Sequence, residues 1–112
     1  MSIRIKGSFV ASVMAVAFAV SLFAVSGASA ATGAELYKTK CQACHGPDGS
    51  GQTTMGKKLG IRDLRSDAVQ KQTDLELTKV IAGGKGKMPA FGKQLTTADI
   101  EAIIAHIRTL KK

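Results

Sequence analysis

The sequence predicts an all-α domain with long loops, on three observations. Three Thr-x-x-acidic patterns, Thr32 to Glu35, Thr73 to Glu76 and Thr96 to Asp99, each precede a helical apolar pattern. Such a pair satisfies two otherwise unpaired backbone donors and marks a helix start. No alternating apolar run long enough for a strand follows residue 30. Two Gly-rich tracts, residues 46–60 and 83–89, separate the helical segments. Loops of that length in so small a domain need something inside to hold them.

The elements follow in order. In the first helix Gly33, Tyr37 and Cys41 recur on one face, with Leu36 and Cys44 beside them. A weaker turn starts at Ser66 and covers residues 67–71. The second helix carries Leu75, Leu77, Val80 and Ile81, and Gly83-Gly84 stop it. The third carries a stripe of Ile100, Ile103, Ile104, Ile107 and Leu110. Lys111 and Lys112 end it, where the helix dipole favours cations.

With 112 residues the chain has room for one small domain, which excludes a multidomain enzyme. Apolar residues crowd into the first 30 positions. Arg4 and Lys6 precede an uncharged run from Phe9 to Val25, and Ala28-Ser29-Ala30 closes the segment. That is the layout of a cleavable signal peptide, residues 1–30, ahead of a domain at 31–112. An uncleaved anchor helix is the competing reading, but the run is at the short end of what spans a bilayer. Either reading exports the domain, and the cleaved form belongs in the periplasm with no stable membrane insertion. Loss of Arg4 and Lys6 leaves 14 basic against 8 acidic residues, a charge of +6. Beyond residue 30 the only aromatics are Tyr37 and Phe91, too few to fill a core unaided. Domains of this size often rely on a disulfide, a metal or a cofactor. The scarcity of stacking aromatics in an exported chain also excludes nucleic acid as a partner.

Cys41-Gln42-Ala43-Cys44-His45 is C-x-x-C-H, the attachment signature of haem c. Two thiols at this spacing each add to one vinyl group of a haem, and the histidine that follows turns its ring to the iron. A disulfide between Cys41 and Cys44 would close too small a loop to stabilise much. A thioredoxin-type dithiol lacks its βαβ context here. A zinc site would have to draw on Cys41, Cys44, His45 and His106, and the adjacent Cys44 and His45 are awkward in one tetrahedron. The expected fifth iron ligand is the Nε2 of His45, with Nδ1–H donating to a backbone carbonyl. A soft sixth ligand must come from Met88 or Met55, the two methionines beyond residue 30. Met88, next to Pro89 in the second Gly-rich tract, is the favoured one; Met55 is the alternative, and gap-filling is the ordinary use of a loop methionine.

Residues 31–112 resemble the class I monohaem cytochromes c of the small bacterial type. The resemblance rests on Gly33, Tyr37, Cys41-x-x-Cys44-His45, the run Gly86-Lys87-Met88-Pro89-Ala90-Phe91, and Leu95-Thr96 through Ile107-Arg108-Thr109-Leu110. It implies the cytochrome c fold, with three to four helices wrapped around one covalently attached haem c. It implies Cys41 and Cys44 as attachment points and His45 and Met88 as axial ligands. It also implies a close crossing of the first and last helices at Gly33, with Tyr37 packed there. Two departures stand out. His106 takes a position that usually holds an aromatic and is expected to be an interhelical packing residue. No proline lies between Pro47 and Pro89 to supply the carbonyl that usually receives the histidine proton.

Two filled axial positions leave the iron no place for a substrate. The expected function is therefore a monomeric electron carrier and not an enzyme. A haem c subunit of a larger redox complex, or a haem enzyme or gas-binding module with a labile sixth ligand, are the alternatives. Lys57, Lys58, Lys85, Lys87 and Lys93 flank the loops and suggest redox partners with acidic docking surfaces.

Overall fold

The computed structural model describes residues 30–112. The signal-peptide assignment lies outside the described residues, apart from Ala30. Six helices follow in order: α1 Gly33–Lys40, α2 Gln42–His45, α3 Thr54–Leu59, α4 Asp67–Gln70, α5 Asp74–Gly83 and α6 Thr97–Thr109. Among the described residues the only β pairing is an isolated antiparallel bridge between Lys85 and Met88. None of the described helices is long and apolar enough to cross a membrane.

The three capping boxes form as their sequence patterns require. Thr32 Oγ1 accepts from the Glu35 N–H at 3.2 Å, and the Glu35 carboxylate accepts from the Thr32 N–H at 2.7 Å. Thr73 and Glu76 repeat this at 3.1 and 2.7 Å, and Thr96 and Asp99 at 3.1 and 2.9 Å. Each box satisfies donors that a helix start leaves unpaired. Two short helices interrupt the first long loop. Helix α2 starts after Cys41 breaks the register of α1 with φ −117°. Helix α3 is capped by Thr53, whose Oγ1 accepts from the Gly56 N–H at 2.8 Å, and it stops at a left-handed Gly60.

The core forms where α1 crosses α6 and α5 packs beside them. A Cβ at Gly33 would collide with the backbone carbonyl of Ala102, so only glycine permits this crossing. Tyr37, Ile103 and Ile104 are the large side chains most completely shut off from water. Val69, Leu77, Ile81, Leu95, Ile100 and Ile107 complete the core. Leu75 departs from the predicted face of α5 and stays exposed. It lies two residues before Leu77, which turns it to the opposite side of the helix from Leu77 and Ile81. His106 is half-buried at the edge of α6, its ring centroid 4.9 Å from that of Tyr37, in agreement with a packing role.

Arginines hold the connections between helices. Arg108 on α6 donates to the carbonyls of Gln70 and Gln72 at 2.8 and 2.6 Å and to Asp74 Oδ1 at 2.8 Å. The Gln70 amide reaches the carbonyls of Leu64 and Ile107 at 2.9 and 3.1 Å. Arg65 makes a two-pronged pair with Asp63 at 2.9 and 3.0 Å and a looser contact with Asp48 at 3.6 Å. These contacts are the full set of ion pairs among the described residues, and none uses a lysine.

Candidate haem site

The break between α1 and α2 places the C-x-x-C-H residues on one wall of a deep cleft. The Cys41 N–H still donates to the Tyr37 carbonyl at 2.8 Å, so α2 hangs directly from the end of α1. Cys44 and His45 sit on the single turn of α2, which Gly46 ends with φ 81°. The following loop fastens this turn from below. Gly51 N–H donates to the His45 carbonyl and Thr53 Oγ1–H to the Cys44 carbonyl, both at 2.8 Å. Gly56 lies so close that a Cβ there would stand 2.5 Å from the Cys44 carbonyl oxygen. The buried Tyr37 hydroxyl donates to the Gly46 carbonyl at 2.6 Å and ties the turn to the α1–α6 crossing.

The opposite wall carries Met88. Lys85 and Met88 exchange backbone hydrogen bonds of 3.2 and 2.9 Å around Gly86, which has φ 57°. A tight turn therefore presents Met88. Gly84 has φ 74°, and a Cβ there would sit 2.7 Å from the Met88 carbonyl oxygen. Just beyond, the N–H groups of Phe91 and Gly92 donate to the carbonyls of Ile81 and Ala82 at 2.9 and 3.0 Å, strapping the loop to the end of α5.

Between these walls lies a cavity of about 440 Å³. Cys41, Cys44, His45 and Met88 all line it, so the structure brings together the four residues singled out from the sequence. Leu59, Leu64, Val80, Ile81 and Phe91 supply apolar lining. Tyr37, Leu95 and Ile104 belong to the core. Met55, the alternative sixth ligand, is 47% exposed on α3 and lies outside the wall. The cations at the cavity are Lys40, Arg62, Lys85 and Lys87, and no carboxylate lines it. Lys57, Lys58 and Lys93 are exposed but outside the wall. Lys40 and Arg62 had no sequence signal of their own, because their place depends on where α1 ends and where the chain turns after α3.

The donor chemistry fits a haem. Both cysteines are free thiols, and burial, with Cys44 adding to it, pushes the Cys41 thiol up to about 11. Burial holds the His45 imidazole below its ordinary range and so favours the neutral form that can ligate a metal. His45 Nδ1 is buried and has no hydrogen-bond partner among the described residues. The carbonyl sought from the sequence is thus not supplied by this geometry. Burial also raises the Tyr37 phenol far above its ordinary value, which keeps its hydroxyl a donor at any working pH.

Comparison with known proteins agrees with this architecture. A family model described as cytochrome C oxidase, cbb3-type, subunit III matches residues 28–107. Cytochrome c6 of Gloeothece citriformis (strain PCC 7424) is 37% identical over 79 residues, covering 70% of this chain and 68% of that one. The cbb3-type cytochrome c oxidase subunit FixP of Azorhizobium caulinodans is 31% identical over 83 residues; this chain spans 27% of its length. The solved structure of the KustC0563 c-type cytochrome superposes with a TM-score of 0.68 at 32% identity, covering 73% of this chain and 100% of that one. A helical fold with a thiol-edged apolar cleft defines a c-type cytochrome. The chain belongs to that family, in its small class I monohaem branch, and its cofactor is covalently bound haem c. It is a haem protein of electron transport.

Proposed function

We propose that the chain carries single electrons between redox proteins in the periplasm, after removal of residues 1–30, as a monomer. In this reading Cys41 and Cys44 hold the haem by thioether bonds, and His45 and Met88 are its axial ligands. The observation that carries the reading is that one apolar cavity is lined by the thiols, the imidazole and the thioether at once. The haem supplies an iron that cycles between ferric and ferrous states. The protein's part is to occupy both axial positions, exclude water and set the balance of the two states. A thioether ligand and an apolar surround both favour the ferrous state and raise the potential. Lys40, Arg62, Lys85 and Lys87 around the cavity favour partners with acidic docking surfaces, since a one-signed rim steers encounter.

Substitution of the ligand tests the reading. Met88→Ala should abolish the weak red absorption of a methionine–ferric iron bond, and Met55→Ala should keep it. The opposite pattern overturns the assignment. The association rate with the redox partner should fall as salt is added; a flat salt profile removes the steering argument.

The similarity to FixP favours one second reading, a fixed haem subunit of an oxidase complex. Size-exclusion chromatography of a gently solubilised native extract separates the two. Elution at the mass of the single chain supports the carrier, and co-elution with an oxidase supports the subunit.

A further inference from the structure

We propose that Tyr37 is the positioning residue of the axial histidine: its hydroxyl fixes the turn that carries His45, and with it the plane in which the imidazole meets the iron. The proposal rests on the haem assignment above and deepens it.

Helix α2 is a single turn, and one turn fixes many dihedrals for few hydrogen bonds. Its direction is therefore set from outside. Three successive carbonyls, those of Cys44, His45 and Gly46, each accept from a donor beyond the turn. Thr53 Oγ1–H and the Gly51 N–H hold the first two at 2.8 Å each. Both donors belong to the loop that directly follows α2, and a loop can drift together with the turn it ties. The third donor is the Tyr37 hydroxyl, 2.6 Å from the Gly46 oxygen. It alone of the three comes from the packed core.

Tyr37 has no room to swing. It is 1% exposed at the crossing that Gly33 closes, and the His106 ring of α6 lies against it at 4.9 Å, tilted by 50°. A side chain held this way presents its hydroxyl at one point. The bond to Gly46 thus carries the stiffness of the α1–α6 crossing to the residue next to His45. His45 has greater need of it than a histidine anchored through its own ring. Its Nδ1 is buried with no partner among the described residues, so the ring takes its direction from the backbone beneath it. Ligand orientation is set by such outer contacts when their own geometry is locked.

The test uses haem-loaded, leader-processed protein. In the ferric state the order and spread of the four haem methyl resonances in proton NMR follow the planes of the axial ligands. Tyr37→Phe keeps the ring in the core and removes only the hydroxyl. The Gly46 carbonyl still accepts from the Gly49 N–H at 3.2 Å, so the turn loosens without losing every tie. This variant should change the methyl pattern. Ile104→Val trims the same core and touches no group of the turn; it should lower the melting midpoint and leave the methyl pattern as in the wild type. An unmoved pattern in Tyr37→Phe refutes the assignment, as does an equal change in Ile104→Val. Tyr37 is the only tyrosine of the chain, so biosynthetic 3-fluorotyrosine alters this hydroxyl alone. If Tyr37→Phe does not mature, the labelled wild type decides: the same resonances should move, and an unmoved pattern refutes. Intact mass keeps the two levels apart. Wild-type protein without a haem increment overturns the cofactor attachment itself, and a haem-loaded protein with an unmoved pattern overturns only the role of Tyr37.

Discussion

Gly33→Ala is the substitution for which the structure gives the sharpest expectation. The added methyl would collide with the Ala102 carbonyl at the α1–α6 crossing. Backbone stands on both sides of that contact, so neither partner can swing away as a side chain could. Overpacking of this kind costs roughly 1–3 kcal/mol, and the rigid partners put this case near 3 kcal/mol. The helix preference of alanine over glycine returns at most about 1 kcal/mol, and less at the first position of a helix. A net loss of about 2–3 kcal/mol lowers the midpoint of a domain this size by roughly 10–20 °C. Gly83→Ala is the matched control. A Cβ there meets nothing within 4 Å, and its backbone is not left-handed. It should stabilise by about 0.4–1 kcal/mol. Thermal melts of the haem-loaded variants, followed by far-ultraviolet circular dichroism, measure both. A Gly33→Ala midpoint at or above that of Gly83→Ala would refute the claim that the close crossing governs stability.

Three further outcomes follow from the same geometry. Arg108→Gln should cost about 1.5–3 kcal/mol in denaturant titrations, because it frees two backbone carbonyls as well as Asp74. Asp74→Asn, which touches only the exposed end of that clamp, should cost under about 1 kcal/mol. The Arg65 guanidinium holds Asp63 at about 2, below its ordinary 3.8. Its folded value is the lower one, so its stabilising share is full above pH 4 and drains away as pH falls toward 2. Asp63→Asn should therefore flatten acid-induced unfolding over that window, lowering stability at pH 7 and converging on the wild type near pH 2. Gly84→Ala should disturb the turn that presents Met88, through both its left-handed backbone and the 2.7 Å approach to the Met88 carbonyl oxygen. Loss of the red ferric absorption in that variant, with haem still attached, checks it.

Local chemistry made much of the fold legible. Each of the three longer helices begins with a threonine and an acidic residue three positions on, and the residues themselves supply both hydrogen bonds. The cavity residues Cys41, Cys44 and His45 were readable because their chemistry depends on spacing along the chain. Met88 was readable because its turn is written in Gly84, Gly86 and Pro89. Helix α3 was not, since Thr53 caps it without an acidic partner and Gly56 sits inside it. That glycine is kept by tertiary contact with the Cys44 carbonyl, which no local pattern announces. Arg62 was invisible for a similar reason. Its place on the cavity wall depends on where the chain turns after α3, which only the assembled fold shows. The missing acceptor for His45 Nδ1 was foreshadowed by the missing proline, but its absence had to be seen in three dimensions.

The division of labour between the two kinds of basic residue has a consequence for adaptation. Among the described residues every ion pair uses an arginine, and the lysines are exposed with no carboxylate within ion-pair reach. Lysines can thus be exchanged one at a time, changing which surfaces the domain meets, while the scaffold beneath keeps its strength. Recognition and robustness are inherited on separate letters of the sequence, so a lineage can change its partners without first having to rebuild its fold.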